Sequence, residues 1–302
     1  MVDLGLLTNK PNAMKKLTFI AALAGSLIAA IDCDAQGIYA GVGVGYGFPS
    51  QVQSFYSNGS SDPNTTTVNS KSYSLGSGML VGAYGGYMIT DNIGVELGLS
   101  EKFSNSTSAT YSTSTPLLST DVYTAKGNVF GITPAIRLMT GSDKLKIYTV
   151  TGLIIGIPSA TLEDNGTHTI AIGGGGSVTN MTDEIYTYSG NVIIGFDGSL
   201  GAMYMLSDKI GIFAEITGDF EDWAPNEQLI TTYTVNGADR LSSLTTSQKQ
   251  TNYVSSYTTN NNNSSPGSPT QAAKIYLPFS SIGFSVGVHF AFAGGSAAST
   301  AK

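Results

Sequence analysis

Histidine and cysteine, which often act as general bases, nucleophiles or metal ligands, are scarce in this chain. Its 302 residues include two histidines and one cysteine, and 12% of the residues are charged. His168 follows Asp164 and Ser159 within one polar stretch, and these residue types together could transfer an acyl group. The same types also meet by chance in any polar segment, so the sequence favours a protein that is not an enzyme. It predicts no catalytic residue, no metal site and no cofactor.

Two glycine-rich stretches do not predict a nucleotide site. Gly41, Gly43 and Gly45 recur with period two, whereas a dinucleotide-binding loop needs the spacing G-x-G-x-x-G before a helix. The run from Gly173 to Gly176 lacks the Lys-Ser or Lys-Thr pair of a phosphate-binding loop. A net charge of -7 at pH 7 also disfavours nucleic acid as a partner, because such proteins carry a basic surface.

A few charged residues lie instead on the small or polar face of strand-like segments. Four of them are predicted to form an interior charge network: Glu96, Arg137, Asp197 and Glu215. Since an isolated buried charge is costly, we expect Arg137 to pair with at least one of these carboxylates. Asp219 and Lys126 are predicted to face inward nearer the loops. The network is either an inert plug of ion pairs or a gate that opens a narrow aqueous path.

The elements that must position these charges alternate with period two, which is typical of strands with one apolar face. Near the C-terminus, apolar residues from Ile282 to Phe292 alternate with small or polar residues from Ser281 to Ala291. Eight strands are predicted, at 37–48, 75–90, 92–104, 121–139, 145–159, 185–206, 209–221 and 274–292.

The connections between these strands alternate in length. Short turns rich in Asp, Asn, Gly and Ser lie at 88–93, 139–144 and 206–209, and long polar connections lie near 49–74, 105–120, 160–184 and 222–273. This pattern predicts an all-β fold, an eight-stranded antiparallel transmembrane β-barrel with short periplasmic turns and long extracellular loops. The alternative is a soluble β-sandwich or lipocalin-like barrel, whose exposed strand faces usually carry Lys, Glu and Arg.

Aromatic residues collect at both ends of the apolar faces, as expected for two membrane interfaces. Those predicted toward the long loops are Phe48, Phe103, Tyr186, Tyr188, Phe220 and Tyr276; those toward the turns are Tyr87, Tyr204, Phe290 and Phe292. Trp223 is interpreted as a further interface anchor. The long connections, such as the asparagines at 260–263, are too polar to bury much apolar surface and are expected to be solvated and mobile.

The first segment reads as an export signal. Lysines follow Met14, and the run from Leu17 to Ile31 contains no charge and is too short to cross a bilayer as a helix. The sequence therefore predicts an upstream extension and signal peptide at 1–35, with Met14 as the start and cleavage after Ala35. The barrel is assigned to 36–292 and a short periplasmic tail to 293–302.

The last strand carries the most specific motif. Ser285, Gly287, Phe290 and Phe292 fit the pattern polar, any, Gly, any, any, aromatic, any, aromatic. In this motif and in its strand pattern over 37–292, the chain resembles the small outer-membrane β-barrel superfamily of Gram-negative bacteria, which includes the outer-membrane protein A barrel domain and outer-membrane protein W. The resemblance implies that the barrel-assembly machinery recognises this signal.

The predicted function follows from this architecture. The chain is expected in the cell outer membrane, in contact with outer-membrane lipid, with a structural or surface-display role and loops that contact an extracellular partner. The alternative is a small gated channel or a porin-like uptake route for ions or small apolar solutes.

Overall fold

The computed structural model describes residues 37–62, 65–113, 119–172, 176–258 and 265–292. The predicted signal peptide with its cleavage site, the tail 293–302 and the asparagines at 260–263 lie outside these ranges, so the division of the chain into domains stays a prediction. The all-β fold is confirmed, because the described residues form eighteen strands, one 3-10 turn and one helix of four residues.

Eight of these strands pair into a closed antiparallel ring. They are β1 (Ile38–Pro49), β4 (Gly78–Met88), β5 (Ile93–Ser104), β7 (Ser119–Gly141), β8 (Leu145–Ile172), β10 (Ile193–Met205), β11 (Ile210–Phe220) and β18 (Ser281–Ala291). The pairing runs β1–β4–β5–β7–β8–β10–β11–β18 and returns to β1. Closure gives every ring strand two partners, so no backbone edge of the ring is left open.

Three short turns connect ring strands at one end, here called the turn end. They follow β4, β7 and β10, and each is closed by a backbone hydrogen bond: from Ile89 to Ile93, from Ser142 to Leu145 and from Leu206 to Ile210, all at 2.8 Å. The first residues of β1 lie at this end too, because Ile38 is opposite Tyr87. The sequence predicts all three turns correctly. We call the opposite side the loop end.

The ring is apolar outside and polar inside. On its outer face Ile194 is 74% exposed, and Ile216 and Leu200 are similarly open to the surroundings. On its inner face Arg137 and Met203 are at most 2% exposed. Because side chains alternate along each strand, one inward residue fixes the direction of its neighbours two positions away.

The long connections are ordered in the described residues, contrary to the sequence prediction. Beyond the loop end, β7 and β8 continue and join β6 (Thr107–Thr113), β9 (Gly176–Ser189), β13 (Glu227–Val235), β15 (Gln250–Val254) and β16 (Thr270–Ala273) in one extension sheet. The remaining elements are a β2–β3 hairpin (Gln53–Asp62, Thr65–Tyr73), β12 (Asp222–Trp223), β14 (Ala238–Asp239), the 3-10 turn Leu241–Ser243, helix α1 (Thr246–Lys249) and β17 (Leu277–Pro278). Backbone pairing within the extension sheet, which begins at β7 and β8, orders its polar strands, so they need little apolar burial of their own.

Two predicted strands are each divided in the structure. The predicted strand 185–206 consists of the end of β9 and all of β10, separated at 190–192, where Gly190 has a φ of 142°. The predicted strand 274–292 breaks between β17 and β18, where the chain crosses the loop end instead of running up the ring wall.

A buried apolar cluster covers the loop end. This lid cluster comprises Tyr73, Leu75, Ala125, Val129, Ala160, Leu162, Ile193, Trp223, Leu277 and Phe279. Trp223 is 1% exposed and donates from Nε1 to the carbonyl of Asn191 at 2.8 Å. Its interpretation as an interface anchor is therefore wrong, and Tyr186 and Tyr188 also pack against the lid cluster instead of facing a membrane interface.

Within the described part of the chain, no helix has the length and apolar character needed to cross a membrane.

Candidate functional site

Arg137 and Glu96 form an ion pair inside the ring near the turn end. Nη2 and Nε of Arg137 both lie 2.7 Å from Oε2 of Glu96. The strands β5 and β7 pair so that Glu96 is opposite Ala135, two residues from Arg137 on the same face. The side chains are 2% and 7% exposed, so water screens the pair only slightly.

Three tyrosines surround the guanidinium group of Arg137. Its Cζ lies 4.4 Å from the ring centroid of Tyr148, 4.9 Å from that of Tyr84 and 5.3 Å from that of Tyr39. A cation over an aromatic face is stabilised by the ring quadrupole, most of all where water is excluded. The cage therefore holds the guanidinium group in place while leaving its Nη1 without a hydrogen-bond partner among the described residues.

Glu215 belongs to this layer through hydroxyl groups. Tyr148 donates its hydroxyl to Oε2 of Glu215 at 2.8 Å, and Ser285 donates to Oε1 at 2.6 Å. His289 also faces inward, and its Nδ1 lies 3.0 Å from the hydroxyl of Tyr84. Of the predicted network, Glu96 thus contacts Arg137 directly and Glu215 is linked to it through Tyr148.

A second charge group, centred on Lys102, lies toward the loop end. Nζ of Lys102 is 2.7 Å from Oε1 of Glu221 and 2.9 Å from Oδ2 of Asp219, and it donates to the carbonyl of Phe279 at 3.1 Å. Asp197 is the cross-strand neighbour of Asp219. The predicted Asp197 therefore belongs to this group and not to the Arg137 layer.

Sequence reasoning missed Lys102 and Glu221 and placed Lys126 wrongly. Lys102 lies six residues after Glu96 on β5, an even spacing that puts both on the inner face. Lys126 lies eleven residues before Arg137 on β7, an odd spacing, and it is exposed. The spacing rule was therefore sufficient to find Lys102 and to reject Lys126.

A cavity of about 140 Å³ lies between the two charge groups. Its walls include Glu96 and Arg137 on one side and Lys102, Asp219 and Glu221 on the other. An engineered apolar cavity of about 150 Å³ admits benzene, so this space can hold several water molecules or one small solute. No group of three or more His, Cys, Asp or Glu residues in the described ranges is arranged to hold a metal ion.

The residues of the predicted assembly signal also have local contacts. Besides the bond from Ser285 to Glu215, a side chain at Gly287 would meet the Val42 carbonyl and the Phe213 ring, at 2.1 and 2.5 Å from its Cβ. Phe290 pairs with Ala40 and Ile210 in the ring, and Phe292 is 6% exposed just after β18. Phe292 is thus more buried than the outward-facing apolar residues of β18 with which it alternates in phase.

The extension sheet gathers several polar groups on one face, among them His168. His168 lies with Nδ1 2.8 Å from the Ser119 hydroxyl and Nε2 3.3 Å from Oδ1 of Asp121. Ser159 is an odd number of residues from both Asp164 and His168 on β8, so it lies on the opposite face. The three residues considered for acyl transfer are therefore not brought together.

Asp164 lies beside two other carboxylates in this sheet. Burial raises the pKa of Asp164 from 3.8 to about 7, and the neighbouring carboxylates of Asp121 and Glu184 add to the rise. A hydrogen bond from Tyr123 opposes it. Since Asp164 is directly opposite Glu184 across the β8–β9 pair, their repulsion is a fixed feature of this sheet.

Comparisons with known proteins give distant likenesses only. No family model matches the chain, and no curated protein matches it. The crystal structure of the outer membrane protein OprG from Pseudomonas aeruginosa is 13% identical and covers 86% of this chain and 98% of that chain, with a TM-score of 0.37. The trimeric outer membrane protein OmpT from Vibrio cholerae is 9% identical and covers 85% and 99%, with a TM-score of 0.09. Both likenesses are too weak to support an argument about this chain.

Proposed function

We propose that this chain is an outer-membrane β-barrel protein with a structural and surface-display role. One observation carries the proposal: the ring exposes apolar side chains on its outer face and buries charged side chains on its inner face. In soluble barrels the apolar faces point inward. A membrane inverts this arrangement, because hydrocarbon surrounds the outer face.

The closed ring suits such an environment. A bilayer core provides no water to pair with backbone N–H and C=O groups, so a spanning sheet must have no open edge. In the middle of the ring strands, the outward residues Leu200, Ile216 and Val286 are 49 to 63% exposed. Apolar surface of this extent is costly in water and favourable in lipid.

The proposed orientation places the turn end in the periplasm and the extension sheet outside the cell. The partners are then outer-membrane lipid and, during biogenesis, the barrel-assembly machinery acting on Ser285, Gly287, Phe290 and Phe292. Because the lid cluster packs over the loop end, the ring serves as a rigid base for the extension sheet. A partner outside the cell would meet this sheet, and the proposal includes no catalytic step.

Cysteine labelling in whole cells tests both location and orientation. The sole cysteine, Cys33, belongs to the predicted signal peptide, so one cysteine can be added at Ala238 in β14 and, in a separate variant, at Asp143 in a turn. Both positions are exposed. A membrane-impermeant maleimide should label Ala238→Cys in intact cells and Asp143→Cys only after the outer membrane is permeabilised. Equal labelling in intact cells, or none in either variant before lysis, would contradict the proposal.

A gated channel is the second candidate, favoured by the cavity between the two charge groups. Refolded 36–302 in planar bilayers distinguishes the two roles, once heat-modifiable gel mobility has verified insertion. If the role is structural, the inserted protein should show no channel conductance. Discrete openings that change when Arg137 or Glu215 is replaced by Ala would favour the channel.

A further inference from the structure

We infer that the cavity inside the ring is a binding site for a small monovalent cation. The inference depends on the charges and contacts within the ring, and it holds whether or not the proposed display role is correct. It assigns a ligand class to the space beside the interior charge network, which is otherwise a plug or a gate.

The charges that line the cavity do not balance. Five carboxylates, Glu96, Asp197, Glu215, Asp219 and Glu221, face two basic side chains, Arg137 and Lys102. Arg137 is paired with Glu96, and the single ammonium group of Lys102 is shared between Asp219 and Glu221. Glu215 receives hydrogen bonds from hydroxyl groups only, and Asp197 has no ion pair in the described part of the chain. Three of the five carboxylates therefore lack a basic partner of their own.

One carboxylate oxygen in this lining has no partner of any kind. Oε2 of Glu221 makes no hydrogen bond within the described ranges, although the side chain is only 2% exposed. Its other oxygen, Oε1, is fully engaged with Lys102. A buried carboxylate oxygen without a hydrogen-bond donor is costly, and a cation in the cavity would give this oxygen a positively charged partner.

The remaining lining defines the kind of cation. Hydroxyl groups of Ser199 and Thr217 and the rings of Tyr84 and Phe213 also face the space. Hydroxyl oxygens can replace water around a weakly hydrated ion, and aromatic faces attract cations, especially ammonium groups. The carboxylates are too dispersed to chelate a metal ion in the described residues, so a divalent ion such as Mg²⁺, which needs tight octahedral ligation, does not fit. Potassium and methylammonium share the chemistry that does.

Ligand linkage provides the test. A ligand that binds only the folded state multiplies the folded-to-unfolded ratio by one plus its concentration over Kd. Urea unfolding of the refolded chain would be followed at pH 8 and constant ionic strength. The reference cation is N-methylglucamine, which is too large for the cavity, and it is replaced stepwise by K⁺ or by methylammonium. Above Kd, each tenfold rise in the small cation should raise the folded-to-unfolded ratio about tenfold.

Two variants that each remove one carboxylate show whether the cation binds inside the cavity. Asp197→Asn removes one cavity carboxylate and should raise Kd roughly tenfold or more, as expected for losing one nearby charge at low dielectric. Asp208→Asn makes the same change in an exposed turn and should leave Kd unchanged. Should Asp197→Asn not refold, Ser199→Lys provides a tethered ammonium group in the cavity and should abolish the response.

The outcomes separate the alternatives. The site is supported if a small cation stabilises the wild type and Asp208→Asn against urea but stabilises the cavity variant less. The comparison of K⁺ with methylammonium shows which cation the site prefers. No difference between the small cations and N-methylglucamine, or an equal response in all variants, overturns the inference. In that case, protonation of the carboxylates would neutralise the cavity.

Discussion

Lys102 and Glu221 are 119 residues apart in the chain, yet Nζ of one lies 2.7 Å from Oε1 of the other inside the ring. The same Nζ contacts Asp219 and donates to the carbonyl of Phe279 in the lid cluster. One ammonium group thus joins β5, the end of β11 and the segment that covers the loop end. Because its side chain is 6% exposed, water cannot replace these contacts.

Replacing Lys102 by Met should therefore be strongly destabilising. The variant leaves Asp219 and Glu221 close together with no cation between them, and removing one partner of a buried ion pair costs about 3–5 kcal/mol. Urea unfolding of the refolded protein measures this loss. Fluorescence of Trp223, the single tryptophan, should shift to the red at lower urea than the loss of the ring strands, because the lid cluster loses its contact with Lys102.

Lys126→Met is the matched control. Lys126 is an exposed lysine on β7, and such surface changes usually alter stability by within about 0.5 kcal/mol. If both variants lost the same stability, the Lys102 contacts would contribute no more than a surface lysine does.

The comparison of Lys102 with Lys126 shows how far sequence reasoning reaches. Counting in steps of two from Glu96 along β5 and from Arg137 along β7 identifies the inward-facing residues of each strand. The turns were also predictable, since Asp, Asn, Gly and Ser favour them locally. The prediction that Lys126 faces inward disregards its odd spacing from Arg137 on the same strand.

The ordered connections could not be predicted in the same way. The Ser- and Thr-rich stretch of β9 has little apolar surface, and its order depends on pairing with β8 and β13 on either side. Trp223 is buried because β12 and β17 meet across the loop end. The β9–β13 and β12–β17 pairings join segments that are not neighbours in sequence, so local composition carries no signal for them.

The outer face of the ring offers a test of the membrane assignment. Val286 lies at the middle of β18 and is 49% exposed. Val286→Arg should cost about 2–4 kcal/mol in a lipid bilayer, and Ile194→Arg, near the strand end at the loop side, only about 0–1 kcal/mol. Urea unfolding in liposomes measures both.

Ser199→Arg, on the inner face, is the control for direction. Its guanidinium group would enter a cavity with excess negative charge, so the loss should be smaller than that for Val286→Arg. In a soluble barrel the exposed Val286 would accept Arg at little cost. The reverse order of the two losses would therefore contradict the assignment of inner and outer faces.

Gly287 gives a test that separates folding from assembly. A Cβ at this position would lie 2.1 Å from the carbonyl oxygen of Val42 and 2.5 Å from the ring of Phe213. Gly287→Ala should destabilise the purified, refolded protein by about 1–3 kcal/mol, the usual cost of overpacking. Gly85→Ala is the control, since the nearest atom to its Cβ would be the Tyr39 carbonyl oxygen at 3.9 Å.

These two variants also distinguish the roles of Gly287. If Gly287→Ala refolds with wild-type stability but fails to reach the membrane in cells, the glycine serves recognition by the assembly machinery alone. A loss of stability in both settings would mean that ring packing itself requires glycine at this position.

The carboxyl group of Asp164 should make the folded protein less stable as the pH rises from about 4 to about 7. The unfolded chain releases this proton near pH 3.8, whereas burial and the carboxylates of Asp121 and Glu184 raise the folded-state pKa to about 7. Within that window the folded state holds a proton that the unfolded state has lost, so each rise in pH favours unfolding. Above the folded-state pKa this contribution is constant. Urea midpoints at pH 4, 5, 6, 7 and 8 measure the effect.

Asp164→Asn stays neutral at every pH and keeps the shape of the side chain. It should therefore be more stable than the wild type at pH 8, and its decline between pH 4 and pH 7 should be smaller. Asp143→Asn, in an exposed turn at the other end of the ring, should keep the wild-type decline. Because Asp164 is only partly buried, solvent screens its repulsion from Asp121 and Glu184, and added salt should reduce the difference between the two variants. An unchanged pH profile in Asp164→Asn would show that the pKa of Asp164 is not raised in the folded sheet.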